Sequence, residues 1–358
     1  MKRLIFGLAL IAAGLSAAQE TNMSCCAILP SRFGTAAPEA PEGMVWIPGG
    51  EFTMGWNGQF ARRDESPLHR VKLDGYWIKR TPVTNAEFAA FIDATGYVTT
   101  AEKAPTMEEI MKSLPPGSPP PQQSALVAAS MVFTPPNRSV GLDNPLVWWQ
   151  WKEGASWKRP KGPGSGIRKI MDHPVVHVSW HDAKAYAEWK GMNLPTEAQF
   201  EYAARGGHEQ WQNTWGDEPV TDGEPKINIW EGQFPNINTK KDGYYTTSPV
   251  TAFPPNDYGL YDMAGNVWEW TADWYHVDAY RMNARKGKII ENPQGPPISY
   301  DPQEPHLPKR VTRGGSFLCS DSYCSGYRPA ARMKSDPYTS LSHTGFRVVK
   351  NVPAAHEE

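Results

Sequence analysis

The sequence predicts an irregular fold in which short helices and scattered strands are joined by many loops. Of the 358 residues, 31 are glycine and 34 are proline, and both residue types favour turns over regular elements. Tryptophan, with 15 residues, outnumbers both tyrosine and phenylalanine, so we expect large aromatic side chains to anchor the core. The fractions of hydrophobic residues (40%) and charged residues (21%) are typical of a globular chain and argue against wholesale disorder.

The charge balance excludes one broad class of function. The formal net charge is −2, whereas a general nucleic-acid-binding protein needs an excess of basic residues to neutralise phosphates. The same balance gives no support for a polybasic surface that binds membranes. We therefore expect no nucleic-acid partner.

The N-terminus has the pattern of a secretory signal peptide over residues 1–18. Lys2 and Arg3 precede an apolar run at residues 4–15, and small residues then form a cleavage site that leaves Gln19 as the mature start. The apolar run is shorter than a typical membrane-spanning helix. The alternative interpretation is an uncleaved membrane anchor. We expect an exported protein, whether periplasmic, secreted or in a secretory lumen, without a membrane span after signal cleavage.

One domain is expected to occupy most of the mature chain. Residues 19–42 have the composition of a flexible leader, residues 43–350 form the domain, and residues 351–358 form a C-terminal tail. The proline-rich stretches at 115–121 and 293–308 are interpreted as surface loops, because patterned sequence resumes after each. No internal repeat of solenoid period is present.

Local patterns predict several individual elements. Residues 44–47 form an apolar strand stopped by a turn, and residues 51–55 alternate as the next strand. Three helices share one pattern, in which a hydroxyl residue opens a capping box and a glycine ends the helix. The opening residues are Thr84, Ser179 and Thr196, and the glycines are Gly96, Gly191 and Gly206.

The strongest chemical signal is the pair Cys319 and Cys324, which lies in a loop after two glycines. Two thiols at this spacing are compatible with a local disulfide, a soft metal site or redox chemistry. Zinc would need four ligands, whereas Cu(I) is satisfied by two thiolates. For an exported protein, spacing alone favours the disulfide. The other two cysteines, Cys25 and Cys26, lie in the leader.

Two loop-rich segments, residues 228–244 and 259–270, combine carboxylates, amides and glycines. Side-chain oxygens together with backbone carbonyls freed by turns are the ligands that calcium prefers. Asx turns and aromatic packing explain the same residues, and the residues by themselves favour that structural explanation.

A spacing of four residues separates His173, His177 and His181, which is compatible with a metal site on one helix. The surrounding sequence argues against this interpretation. Pro174 cannot continue a helix, and residues 175–178 predict a strand, so the histidines fall on different elements. We therefore interpret His177 as a structural histidine with satisfied hydrogen bonds.

Several motifs together identify a family. They are residues 44–55, 173–180, 194–197, 266–270, 313–316 and 345–347. From Met44 to Val349 the chain resembles formylglycine-generating enzymes, which oxidise a sulfatase cysteine to Cα-formylglycine. Most of these motifs also mark a wider domain family that includes non-heme-iron sulfoxide synthases and proteins without known catalysis. The feature that indicates the oxidase is the position of Cys319 and Cys324 relative to these motifs.

The resemblance implies a fold and an active site. The fold is an irregular α+β arrangement related to C-type lectins, with low regular secondary structure. Cys319 and Cys324 match the two active-site cysteines, which bind Cu(I), and Ser316 matches the active-site serine.

The resemblance also implies two calcium sites. The first comprises Asn228, the carbonyl of Ile229, Asp242 and the carbonyl of Tyr244. The second comprises Asp262, the carbonyls of Gly265 and Val267, and Glu269. The family often has asparagine where this chain has Asp262, and this change keeps an oxygen donor and adds charge.

The chain departs from the family pattern at several positions. Two disulfides of the animal relatives are replaced, at Ala187 with Pro329 and at Ala204 with Val348. The active-site cysteines are therefore the only thiols of the predicted domain. A histidine that follows the first active-site cysteine in some relatives is Ser320 here, which leaves the handling of substrate or oxygen open.

The function implied by the resemblance is a copper-dependent oxidase that uses O2. Its substrate is an unfolded sulfatase polypeptide with a Cys-x-Pro-x-Arg motif, bound in a groove with a carboxylate or an aromatic ring for the arginine, and we expect a monomer. One alternative is a non-catalytic lectin-like binding module with Cys319–Cys324 as a structural disulfide. A non-heme-iron sulfoxide synthase ranks lower, because no clear three-histidine set is present.

Overall fold

The computed structural model describes residues 40–352. The predicted signal peptide, nearly all of the predicted leader with Cys25 and Cys26, and most of the predicted tail lie outside the described residues.

Regular elements in the described part of the chain are short, and the longest strand has seven residues. The strands are β1 (Met44–Ile47), β2 (Gly50–Met54), β3 (His69–Leu73), β4 (Tyr76–Lys79), β5 (Ala129–Phe133), β6 (Trp149–Glu153), β7 (Trp268–Trp274), β8 (Ile290–Glu291), β9 (Arg310–Arg313), β10 (Met333–Ser335), β11 (Thr344–Gly345) and β12 (Val349–Asn351). The helices are α1 (Asn85–Thr95), α2 (Met107–Ser113), α3 (Trp180–Trp189), α4 (Glu197–Ala204) and α5 (Ala279–Arg285). Short 3₁₀ turns lie at Arg63–Glu65, Thr100–Glu102, Gln123–Ala125 and Pro145–Val147.

The strands form four small sheets. β4 lies between β1 and β12, so strands from the two ends of the described chain share one sheet. The sheet that supports the candidate site has the order β10-β9-β7-β11, with β9 antiparallel to both neighbours and β11 parallel to β7. The other two sheets are β2-β3-β8 and the hairpin β5-β6. The irregular α+β fold predicted from the sequence is confirmed.

The predicted helix starts are confirmed at α1, α3 and α4. At each start the hydroxyl residue accepts a hydrogen bond from the backbone N–H three residues later, and that residue's side chain accepts one in return. These bonds satisfy donors that the helix itself leaves unpaired. The predicted glycines follow, with φ of 66° at Gly96, 64° at Gly191 and 60° at Gly206. The two predicted N-terminal strands are confirmed as β1 and β2.

The predicted strand at residues 175–178 is wrong. His177 has a φ of 59°, which an extended strand does not permit, and the segment forms isolated hydrogen bonds to other loops instead. The imidazole of His177 is buried, where Nδ1 lies 2.7 Å from Ser130 Oγ and Nε2 lies 2.9 Å from the Pro160 carbonyl. The interpretation of His177 as a satisfied structural histidine is confirmed.

Aromatic side chains form much of the core, as composition predicts. One cluster packs Phe52, Tyr76 and Phe200 between the N-terminal strands and α4. A second cluster packs aromatic residues of α1 and α3 against Trp270 of β7, whose indole N–H donates to the Val178 carbonyl at 3.0 Å. Within residues 40–352, no helix is both long and apolar enough to cross a membrane.

Candidate active site

The loop between β9 and β10 carries the three predicted catalytic residues. It begins at Gly314 and Gly315, which have φ values of 90° and 76°. A Cβ at Gly315 would lie 2.7 Å from the backbone nitrogen of Tyr327, so only glycine lets the two arms of the loop approach this closely.

The two thiols of this loop lie side by side. The Sγ atoms of Cys319 and Cys324 are 3.0 Å apart, and both cysteines are free thiols, in contrast to the disulfide that spacing alone favoured. Only 1% of Cys319 and 8% of Cys324 is exposed. Backbone hydrogen bonds hold the pair, with the Cys319 N–H donating to the Ser316 carbonyl and the Cys324 N–H to the Ser320 carbonyl, both at 2.9 Å.

Ser316 contacts the pair through its backbone. Its N–H donates to Cys319 Sγ at 3.4 Å, while its buried hydroxyl accepts from the Leu318 N–H at 3.2 Å. An amide N–H that faces sulfur favours the thiolate form. The structure therefore brings the three predicted catalytic residues together.

The two thiols are close enough for one to donate to the other, and either sulfur can be the donor. A hydrogen bond from Cys319 lowers the pKa of Cys324 to about 6, with burial opposing this effect and the Arg62 guanidinium adding to it. Burial and the neighbouring sulfur raise the pKa of Cys319 well above its ordinary value. One thiol of the pair is therefore more acidic than an isolated cysteine, and the other is less acidic.

Both cysteines line one cavity of about 190 Å³. Aromatic rings from four parts of the chain supply much of its wall, namely Trp149, Phe234, Trp268 and Tyr323. Lys334 also lines the cavity, and its ammonium lies 3.0 Å from the Asp301 carboxylate. The lining contains no Asp or Glu, so of the two arginine-binding groups expected from the resemblance, the cavity offers aromatic rings.

His343 lines the same cavity, and sequence reasoning missed it. Its ring packs edge-on against Trp149 with 4.8 Å between centroids, and Nδ1 lies 3.2 Å from Thr344 Oγ1. Burial lowers the pKa of His343 to about 3, so the imidazole is neutral at physiological pH. The sequence signal that could have identified His343 is its position just before the Gly345-Phe346-Arg347 motif.

Buried arginines fix both ends of the cysteine loop. Arg313, the last residue of β9, donates to the carbonyls of residues 329–331 at 2.8 to 3.0 Å and also contacts Glu201. Arg328 binds Glu65 through two hydrogen bonds of 2.8 Å. Arg332 binds Glu197 through bonds of 2.6 and 2.9 Å. The loop is therefore closed on itself and attached to two distant elements.

The residues predicted for the first calcium site lie together. The Asp242 carboxylate accepts hydrogen bonds from the N–H groups of Ile229 at 3.2 Å and Tyr244 at 2.9 Å, and Asn228 directly precedes Ile229. Burial, opposed by these bonds, and the Glu231 carboxylate raise the pKa of Asp242 to about 6. A cation beside Asp242 would stabilise its charged form.

Two of the residues predicted for the second site, Asp262 and Glu269, contact the guanidinium of Arg347. Burial raises the pKa of Asp262 to about 8, against a 2.8 Å hydrogen bond from the Asn266 amide. Both oxygens of Glu269 bind Arg347 at 2.7 Å, and Arg347 also donates to the Asp262 carbonyl at 3.2 Å. Asp262 thus has a poorly compensated charge, whereas Glu269 is already paired.

Among residues 40–352, no group of three or more His, Cys, Asp or Glu side chains is placed to hold a metal ion. A metal at any of the three predicted sites would therefore need backbone or amide oxygens, or a coordination number of two. The predicted calcium sites include backbone carbonyls, and the predicted copper site has two ligands, so the predicted donor sets meet these conditions. The three metal assignments remain predictions.

The fold and the site together define the class of the protein, which is an irregular α+β domain with two thiols in one aromatic cavity. Residues 31–352 match the family model described as the sulfatase-modifying factor enzyme 1-like domain, and the chain belongs to this family. The resemblance found in the sequence is thereby confirmed.

Individual relatives support the same family. The formylglycine-generating enzyme of Thermomonospora curvata is 45% identical over 311 residues, which cover 86% of this chain and 93% of that protein. The inactive C-alpha-formylglycine-generating enzyme 2 of Bos taurus is 39% identical over 313 residues, covering 85% and 86%. The structure of PvdO from Pseudomonas aeruginosa aligns with 86% of this chain and 94% of its own, at a TM-score of 0.53 and 24% identity, which supports the fold.

We expect the Arg328–Glu65 pair to be needed for the loop. Replacing Arg328 by methionine leaves the fully buried Glu65 carboxylate without its partner, and should lower the free energy of unfolding by about 3–5 kcal/mol. The double variant Glu65→Leu/Arg328→Met removes both charges and should be more stable than the single variant. Urea unfolding measures both, and a double variant no more stable than Arg328→Met would contradict the expectation.

Proposed function

We propose that the protein is a copper-dependent oxidase that converts the cysteine of a sulfatase Cys-x-Pro-x-Arg motif to Cα-formylglycine with O2. The observation that carries the proposal is the pair of free thiols in the aromatic cavity, since catalysis at this site requires both sulfurs to be available. The relative from Thermomonospora curvata, which is named a formylglycine-generating enzyme, supports the formation of formylglycine.

The donor set of the cavity fits Cu(I). Two buried sulfurs 3.0 Å apart offer soft ligands, and zinc would require further ligands that the described residues do not place there. When bound, Cu(I) supplies the redox chemistry with O2 and a soft binding site for the substrate sulfur. Cys319 and Cys324 would hold the ion as thiolates, and the Ser316 N–H would stabilise the negative charge on Cys319.

The electron balance requires a further reactant. Conversion of a cysteine to an aldehyde and sulfide releases two electrons, whereas reduction of O2 to water consumes four. We infer that two molecules of a small thiol supply the other two electrons and are joined as one disulfide. The chain has no other cysteine within the predicted domain, so this thiol is an external reductant.

The cavity walls indicate how a peptide substrate would bind. Tyr323 is 41% exposed and lies at the rim, where it stacks on the buried Phe234 ring with 4.2 Å between ring centroids. Aromatic faces can bind a guanidinium through cation–π contact, which suits the arginine of the motif. The two sulfurs are buried, and we expect the substrate cysteine to reach them from an extended segment of an unfolded sulfatase polypeptide.

A non-catalytic module of the same fold is the second candidate. A relative whose name calls it inactive is 39% identical, so membership of the family does not by itself imply catalysis. In that case Cys319 and Cys324 would form a structural disulfide, and the surface of the cavity would serve binding alone.

A peptide assay tests the oxidase. Reduced protein supplied with Cu(I), a Cys-x-Pro-x-Arg peptide, a small thiol and air should convert the cysteine to the aldehyde, read by mass spectrometry. Cys319→Ser and Cys324→Ser should each abolish conversion, because one sulfur cannot hold the ion as two do. Ser322→Ala, at an exposed position of the same loop, should retain it. If the copper-loaded and reduced protein converts no peptide, the binding module becomes the better explanation.

We also propose calcium at the two predicted oxygen-rich sites. The pKa of Asp262 rises from its ordinary value of 3.8 to about 8 in the folded protein, so the folded state binds the proton more tightly. In calcium-free protein, the contribution of Asp262 to stability should therefore be greatest below about pH 4 and should fall as the pH rises toward 8.

Three variants test this second proposal. Asp262→Asn should flatten the fall in stability between pH 4 and 8, and Asp257→Asn, at a mostly exposed position, should not. Added calcium should restore the stability of wild-type protein at pH 8 and affect Asp262→Ala less, because alanine removes the oxygen donor that asparagine would keep. Thermal unfolding measures these effects, and equal stabilisation of wild type, Asp257→Asn and Asp262→Ala by calcium would count against the second site.

We further propose that the protein is exported, on the strength of the signal-peptide pattern at residues 1–18. Expression of the full chain in a secreting host should yield a product that begins at Gln19. N-terminal sequencing of the exported material checks this, and an intact Met1 on that material would show that the segment is not removed.

A further inference from the structure

One cationic side chain touches the cysteine pair. Arg62 precedes the 3₁₀ turn Arg63–Glu65 in the connection between β2 and β3, far from the cysteine loop in sequence. Its Nη2 lies 3.8 Å from Cys324 Sγ, and its Nη1 donates to the Arg332 carbonyl at 3.1 Å. The second bond attaches the guanidinium to the C-terminal end of the loop that carries the thiols.

The charge of Arg62 is not committed to a carboxylate. Within residues 40–352, Arg62 forms no ion pair shorter than 4.0 Å, and the neighbouring Glu65 is bound through both oxygens by Arg328. The sulfurs are therefore the anionic groups that Arg62 contacts directly. This arrangement differs from that of Arg313, Arg328 and Arg332, which all pair with buried glutamates.

A copper site built from two thiolates needs such a cation. Two thiolates around a monovalent ion leave one net negative charge, and the sulfurs that would carry it are almost completely buried. Burial of an uncompensated charge is unfavourable, and a guanidinium about 4 Å away offsets part of that cost. Arg62 is only partly buried, so water screens some of its effect.

We infer that Arg62 is a positioning residue whose fixed charge stabilises the anionic two-thiolate Cu(I) site. The inference rests on the proposed function, because it presumes that copper binds between the two cysteines. Arg62 acts through the sulfurs rather than on the substrate. Its contribution should therefore appear in the affinity for the metal alone, without peptide or O2.

The test is a measurement of Cu(I) affinity in the absence of oxygen, by competition with a chromophoric Cu(I) chelator. Arg62→Gln keeps a side-chain N–H for the Arg332 carbonyl but removes the charge, and should bind Cu(I) about tenfold to a hundredfold more weakly than wild type. Arg62→Lys keeps the charge and should fall between the two. Arg63→Gln, an adjacent exposed position, is the matched control and should match wild type.

A second readout separates electrostatics from structure. The ratio between the affinities of wild type and Arg62→Gln should shrink as salt is raised, because ions screen a partly exposed charge. A ratio independent of salt, together with a lower urea midpoint for metal-free Arg62→Gln, would show a structural role and overturn the inference.

The outcomes also separate this inference from the proposed function. Wild-type protein that binds one Cu(I), with Arg62→Gln binding equally well, would overturn the role of Arg62 and leave the oxidase intact. Wild-type protein that binds no Cu(I) would overturn both.

Discussion

The buried ion pair between Arg313 and Glu201 is the interaction on which the candidate site depends. Both side chains are completely buried, and the same guanidinium donates to three carbonyls at residues 329–331. A single side chain therefore closes the cysteine loop and attaches it to α4. Removing one partner of such a pair leaves a buried charge and typically costs about 3–5 kcal/mol. The position of the two sulfurs is thus tied to the stability of the core.

Closure by Arg313 explains why glycines are required inside the loop. A side chain at Gly315 would meet the backbone at Tyr327, and one at Gly326 would meet the Trp268 ring and lie 3.0 Å from Cys324 Sγ. The backbone therefore packs directly against the wall of the cavity. Little room remains for the thiols to move apart, and a site of this kind presents two soft donors to a ligand in a fixed arrangement.

Patterns that act over a few residues allowed the most accurate predictions. The capping box at Thr196 depends on its own first turn, so the sequence suffices to find it. The strand predicted at residues 175–178 failed because hydrogen bonds to distant loops hold His177 at positive φ. Motifs identified Cys319 and its partners, but the contact of Arg62 joins positions 262 residues apart and leaves no local pattern. Contacts of this kind require the fold itself.

The buried carboxylates of this fold differ in how their charge is compensated, and this difference bears on metal binding. Burial alone would raise the pKa of Glu201, but Arg205 and Arg313 hold it below its ordinary value. Asp262 is also buried, yet its carboxylate accepts a hydrogen bond from an asparagine amide, while the nearby Arg347 is bound by Glu269. The core thus supplies cations for its structural glutamates and leaves Asp262 to be compensated by protonation or by a bound cation. Because the pKa of Asp262 is raised to about 8, its carboxyl is protonated near neutral pH unless a cation replaces the proton, and the proposed calcium, which prefers oxygen ligands, would be such a cation.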